Sequence, residues 1–207
     1  MHIIWQGQTC FQIIVSQGKD QKVTLLTDPF EENIGLKLPK LDADLILMSQ
    51  GAIKKAESQA FLVQGPGEYE SKDVYVIGMA DNNDQKPANT IYAIEAEDIK
   101  ICFLGNIKQK ELTAGQIEQI GEVDILMIPV GGGDTIGAEE AVKITNQLEP
   151  RIVIPMRFSL PKLNIKLDGV DKFLKAIGQK NGEALPKLII KKKDMPEGEM
   201  QVVILQP

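Results

Sequence analysis

The order of elements along this chain predicts two β-sheets packed face to face with helices outside, an α+β fold that some schemes class as α/β. Three features carry the prediction. Short β-rich segments separated by turn residues fill the first half, strands alternate with helices from Thr113 onward, and strands flank the last helix. A length of 207 residues with 43% hydrophobic and 25% charged residues suits one soluble domain spanning 1–207.

The first strands are Ile3 to Trp5, Cys10 to Val15 and Val23 to Thr27, and Gln17-Gly18-Lys19-Asp20 supplies the turn that makes the last two a hairpin. Leu45 to Met48 and Phe61 to Val63 follow as apolar strands. Pro66-Gly67-Glu68-Tyr69-Glu70 reads as a turn, with Glu68 a loop anchor rather than an acid catalyst. Val74 to Ile77, Ile91 to Glu95 and Lys100 to Phe103 complete the β-rich half, with 81–87 a polar loop. The rhythm then changes to helix (Thr113 to Ile120), buried strand (Ile125 to Val130), helix (Ala138 to Leu148) and buried strand (Ile152 to Pro155). That is a βαβ pattern. The helix from Ala138 puts Ala141, Ile144 and Leu148 on one face and its acids in the first turn, where they favour the helix dipole. A helix from Val170 to Ile177 ends at Gly178, and Leu188 to Lys191 and Gln201 to Leu205 close the chain as strands. No solenoid repeat, low-complexity tract or interdomain linker interrupts this order.

Bulk properties exclude several function classes. The apolar runs fall far below the roughly 20 residues that cross a bilayer, and the N-terminus enters a strand without a basic patch and long apolar run, so a cytoplasmic protein is expected. A formal charge of −6 disfavours nucleic acid, and Lys191-Lys192-Lys193 reads as a solvated face beside acidic neighbours. Cys10 and Cys102 lie in strand-like stretches without zinc-knuckle spacing, so reduced buried thiols are expected. The chain holds one histidine, His2, which reads as an edge-strand residue.

Six segments occur in a recognisable order: Trp5-Gln6-Gly7-Gln8-Thr9-Cys10-Phe11, Leu26-Thr27-Asp28-Pro29-Phe30, Pro66-Gly67-Glu68-Tyr69-Glu70, Phe103-Leu104-Gly105-Asn106, Ile128-Pro129-Val130-Gly131-Gly132-Gly133 and Ile154-Pro155-Met156-Arg157-Phe158. Together they resemble the metallo-β-lactamase-fold hydrolases, in the lactonase-like "Zn-dependent hydrolase" branch, over nearly the whole chain. The resemblance implies an αββα four-layer sandwich with its pocket where connecting loops converge at one edge of the two sheets.

That family carries His-x-His-x-Asp-His after a buried strand, because two adjacent metal ions need imidazoles and a carboxylate converging from one short segment. After Asp44 to Met48 and Ser49, the corresponding positions are Gln50, Ala52, Lys54 and Lys55. Elsewhere the family's ligands correspond to Gln8, Asn106 and Arg157; its middle histidine would fall near Met79 to Asn82, and Asp28 alone is kept. The resemblance gathers Gln8, Asp28, Gln50, Ala52, Lys54, Asn106 and Arg157 around the cavity, with no metal ligand set and no cofactor expected.

A carboxylate left facing that cavity calls for positive charge, from Lys54 or Arg157 paired with Asp28. Alternatively Lys54 belongs to a solvated helix start, or Lys54, Arg157, Asn106 and Gln50 form an anion pocket. The functional expectation is a metal-free, non-catalytic or diverged pseudoenzyme that binds a small anionic ligand or a protein partner, with homo-oligomers allowed. The alternative is an active hydrolase of a small ester, lactone or phosphodiester, with Asp28 as base and Lys54 with Arg157 stabilising the oxyanion. A glycine-rich 131–135 phosphate loop is the weaker reading, because the Gly-Lys-Ser/Thr ending is missing.

Overall fold

A computed structural model of the chain describes residues 1–18, 21–30, 34–37, 40, 42–51, 59–82, 88–180 and 182–207. The elements in order are β1 (His2–Gly7), β2 (Cys10–Gln17), β3 (Gln21–Thr27), β4 (Leu45–Met48), β5 (Phe61–Gln64), β6 (Gly67–Ser71), β7 (Val74–Ala80), β8 (Thr90–Ala96), β9 (Ile99–Phe103), α1 (Ala114–Ile120), β10 (Ile125–Pro129), α2 (Ala138–Leu148), β11 (Ile152–Met156), α3 (Val170–Ala176), β12 (Leu188–Ile189), a short 3₁₀ turn and β13 (Gln201–Val202). Among the described residues the strands form a six-stranded sheet, β12-β1-β2-β3-β4-β5, and a seven-stranded sheet, β13-β11-β10-β9-β8-β7-β6. This is the two-sheet sandwich with flanking helices that the element order and the resemblance imply.

Period-2 burial explains β1 and β2 of the first sheet: Ile3, Trp5, Phe11, Ile13 and Val15 point inward, while Ile4, Gln12 and Ile14 between them are half-exposed. The strands β10 and β11 are buried at every position, as expected of parallel strands covered on both faces. Helix α2 covers them with Ala141, Ile144 and Leu148, the face read from the sequence. Helix α1 is held at its start by a capping box between Thr113 and Gln116.

Three readings change. The segment 66–70 is not only a turn: Gly67–Ser71 pairs antiparallel with β7 and forms the edge of the second sheet. His2 is not on an edge, because β12 pairs with it through Ile189. The closing strands are shorter than expected, since the chain turns at Lys192–Asp194, where Lys192 Nζ reaches the buried Asp124 carboxylate at 2.7 Å. Of the expected cavity positions, Ala52 and Lys54 lie outside the described residues, as do Lys55 and most of the 81–87 loop.

The first sheet contributes a parallel trio, β3-β4-β5, and the second a parallel run of four, β9-β10-β11-β13. Ligand crevices in such sheets form beyond the carboxyl ends of the strands. Asp28, Ser49, Asn106 and Arg157 all lie just past those ends.

Candidate active site at the strand ends

A cavity of about 650 Å³ is walled by Gln8, Thr9, Asp28, Met48, Gln50, Asn106 and Arg157 with the apolar side chains of Pro29, Phe30, Ile34 and Ile165. The five expected positions that the structure describes, Gln8, Asp28, Gln50, Asn106 and Arg157, therefore converge. The two sheets meet at the floor. The Thr90 amide donates to the Ser49 carbonyl at 2.8 Å, and Gly105 packs so closely on Ser49 that a Cβ there would lie 2.2 Å from the Ser49 Cβ.

Asp28 is buried at the end of β3, with its backbone in the left-handed region (φ 37°). Its Oδ1 accepts from the Ser49 amide at 2.6 Å, and its Oδ2 accepts from Ser49 Oγ at 2.5 Å and from Asn106 Nδ2 at 3.3 Å. Burial pushes its pKa up to about 6, against the lowering effect of the Ser49 and Thr9 hydrogen bonds and of the Arg157 charge. A carboxylate poised there exchanges a proton near neutrality.

Asn106 is the junction. Its backbone is fixed by Asn89, whose Oδ1 accepts from the Asn106 amide at 2.8 Å and whose Nδ2 donates to the Leu104 carbonyl at 3.0 Å. Its side chain spans two charges: Nδ2 faces Asp28 and Ser49, while Oδ1 accepts from Arg157 Nη1 at 2.8 Å. The sequence reading pairs Lys54 or Arg157 with Asp28; Arg157 makes no direct pair with it, and its Nη2 pairs with Asp134 instead. The physical reason is reach: the Asn106 amide stands between carboxylate and guanidinium and satisfies both.

Gln8 and Arg157 hold each other's backbone, both with positive φ (50° and 52°). The Gln8 carbonyl accepts from the Arg157 amide at 3.2 Å and from Trp5 Nε1 at 2.8 Å, and the Trp5 ring packs on Phe158 with centroids 4.8 Å apart. Both polar atoms of the Gln8 side chain, and Nε of Arg157, are buried without a hydrogen-bond partner. Asp81, near the loose middle-histidine position, is buried but does not line the cavity.

Sequence reasoning missed Ser49, Asn89 and Asp134 as participants. The glycine-rich loop at 131–135 does not line this cavity, and the start of α2 beyond it is already satisfied, since the Gly137 amide donates to Glu140 Oε2 of its own helix at 3.2 Å. Burial, then the nearby Asp28 charge, raises the Cys10 thiol far above neutrality, which removes it as a nucleophile.

Comparison with known proteins places this architecture. Residues 2–157 match the family described as "Beta-lactamase superfamily domain". The crystal structure of a candidate Zn-dependent hydrolase of the metallo-β-lactamase superfamily from Thermotoga maritima superposes with a TM-score of 0.81, at 31% identity, over 100% of both chains. A metallo hydrolase from Ignicoccus hospitalis shares the fold at 14% identity and a TM-score of 0.64, over 92% of this chain and 99% of that one. A UPF0173 metal-dependent hydrolase of Pyrococcus horikoshii is 34% identical over 103 residues, and the match spans 48% of this chain and only 40% of that relative. A UPF0173 protein of Pyrococcus furiosus is 25% identical over 186 residues, spanning 76% of this chain and 83% of that one. The relatives from Thermotoga maritima and Pyrococcus horikoshii carry the name hydrolase and overturn the expectation of a non-catalytic, pseudoenzyme binding role; the cavity here keeps a buried, near-neutral carboxylate next to a guanidinium. The chain belongs to the metallo-β-lactamase superfamily.

Proposed function

We propose that this chain is a hydrolase of a small ester, lactone or phosphodiester that works through Asp28, Asn106 and Arg157. One observation carries the reading: a buried carboxylate with pKa near 6 and a largely buried guanidinium flank a single side-chain amide on the wall of one cavity. Asp28 takes the proton of an attacking water. The water oxygen bonds to the carbonyl carbon or phosphorus while Arg157 stabilises the charge on the non-bridging oxygen. The ester bond then breaks with its electron pair on the leaving oxygen, which receives the proton from Asp28. Asn106 is a positioning residue, its amide holding the Asp28 carboxylate on one side and the Arg157 guanidinium on the other.

Among the described residues, the donor set on this wall does not fit the two-metal centre that the superfamily implies. A binuclear zinc site needs several imidazoles, thiolates or carboxylates. On this wall Asp28 supplies the carboxylate, and both its oxygens already accept hydrogen bonds. Arg157 brings a cation to a position where a ligand would stand. Among the described residues no three His, Cys, Asp or Glu side chains come together. His2 is at the far end of β1, six residues from Gln8, or roughly 20 Å of strand. The cytoplasm is the proposed compartment, supported by two free buried thiols and by the absence, among the described residues, of a helix long and apolar enough to cross a membrane.

Hydrolysis of a panel of nitrophenyl esters, lactones and phosphodiesters tests the proposal. Turnover unaffected by chelator and lost in Asp28→Asn is expected. Turnover that chelator abolishes and zinc restores would replace this reading with a metal-dependent one.

A further inference from the structure

Asp134 takes no part in the reaction just described, yet it occupies the group that would meet the substrate. Its carboxylate pairs with Nη2 of Arg157; the Asp134 side chain is 69% exposed, whereas that of Arg157 is 11% exposed. A guanidinium this buried requires an anion. Its fork is only partly used: Nη1 is held by Asn106, Nη2 by Asp134, and Nε is buried with no acceptor. The Gln8 amide lines the same cavity, 6% exposed and with neither polar atom paired. Unpaired buried donors are costly, so a ligand that supplies their acceptors gains what the free protein lacks.

We propose that Asp134 stands in for a substrate oxyanion, and that the site takes a phosphodiester whose phosphate displaces the Asp134 carboxylate from Arg157. The proposal rests on the hydrolase reading of this cavity and selects among its three substrates. Phosphate matches the edge of a guanidinium with two parallel hydrogen bonds, so it engages Nη2 and the empty Nε together. The exposed Asp134 uses Nη2 and returns to water on release. The unpaired Gln8 amide faces the same cavity and can donate to a remaining oxygen. Because Asp28 and Arg157 flank the same Asn106 amide, base and anion holder act on one group. In a phosphodiester the charge and the scissile bond are that one group. A neutral ester or lactone brings no charge to compete with Asp134 and meets an arginine already neutralised.

The test uses the full chain, with inorganic phosphate as probe and calorimetry as readout, on the wild type, Asp134→Asn and Asp134→Ala. Loss of an exposed competing carboxylate should tighten phosphate about fivefold in both variants. With bis(4-nitrophenyl) phosphate, KM should fall by a similar factor at unchanged kcat, while KM for 4-nitrophenyl acetate stays constant. Unchanged phosphate affinity in both variants, or an equal KM gain on the acetate ester, would overturn the proposal. Phosphate binding is read without turnover. A wild type inert towards every substrate would therefore end the hydrolase reading, while the calorimetry alone decides the role of Asp134.

Discussion

Two regions of this molecule use the same unfavourable backbone conformation for different ends. At the tips of the β6–β7 and β8–β9 hairpins, Lys72, Asp73, Glu97 and Asp98 have φ of 52°, 58°, 52° and 60°; on the cavity wall, Gln8, Asp28 and Arg157 have φ of 50°, 37° and 52°. The tips are two-residue turns between the paired residues Ser71 and Val74, and Ala96 and Ile99. There two consecutive left-handed torsions make a turn that suits the right-handed twist of the flanking strands, and aspartate tolerates them. Nothing local favours it at the cavity. Tertiary bonds impose it: Asp28 N to Leu47 O at 2.9 Å, Arg157 N to Gln8 O at 3.2 Å, and Gly131 N to Arg157 O at 3.1 Å. Left-handed torsions written by neighbours in sequence mark a turn, whereas those imposed from across the fold mark a site whose surroundings outweigh its strain.

The sharpest way to break this contrast is at Gly105, where the sheets touch. Gly105 has φ +58°, and a Cβ would sit 2.2 Å from Ser49 Cβ and 2.7 Å from Asn89 Oδ1. Gly105→Ala combines a left-handed penalty with overpacking of a buried junction, about 4 kcal/mol together. At Gly178, just past α3, with φ +76° and open space around it, the same change costs about 1 kcal/mol. Chemical denaturation of both variants measures the difference; equal losses would mean that the sheet junction is not rigid.

Asp28→Asn separates stability from activity at the floor of the cavity. Removing a general base costs at least about 100-fold in kcat/KM. The same change should stabilise the fold. The folded pKa of about 6 lies above the unfolded value of 3.8, so the protonated form is favoured by folding. That contribution is complete below about pH 4 and is lost as pH rises through 6, leaving the wild type about 3 kcal/mol short of an uncharged isostere at neutral pH. Denaturation curves should therefore show Asp28→Asn more stable than wild type at pH 7.5 and the gap closing towards pH 4. A gap independent of pH would reject a buried, ionised Asp28. In the wild type, kcat/KM should climb as pH passes through about 6, because the base works deprotonated.

Most of the fold was legible because burial leaves a period: the alternation in β1 and β2, the all-apolar runs of β10 and β11, and the face of α2 are all written in the sequence. The strand β6 was not. Its Gly-Glu-Tyr-Glu-Ser stretch forms a sheet edge with no fully buried side chain, so it carries turn residues instead of a hydrophobic pattern. Gln8, Asp28, Gln50, Asn106 and Arg157 were brought to one cavity by resemblance alone, since no local pattern joins strand ends from two sheets. Ser49, Asn89 and Asp134 escaped because a polar residue after a strand looks the same whether it faces water or a buried carboxylate. A usable signal for Asp134 did exist: an acid in a glycine-rich loop, opposite the one arginine among the family's ligand positions.

The smallest expected effect lies at the hairpin tip and completes the comparison. Asp98 is exposed and left-handed at the second central position of the β8–β9 turn, where glycine carries no steric penalty. Its neighbour Glu97 is already committed, since its carboxylate pairs with the Met1 amine at 2.5 Å and also accepts from the Ser16 amide, and should be left alone. Asp98→Gly should change stability by no more than about 0.5 kcal/mol, relief of strain being offset by the greater freedom of the unfolded chain. It should not alter hydrolysis or phosphate affinity. A change near zero at Asp98 beside a large loss at Gly105 would show that this fold spends its rigidity where the sheets meet rather than where its strands reverse.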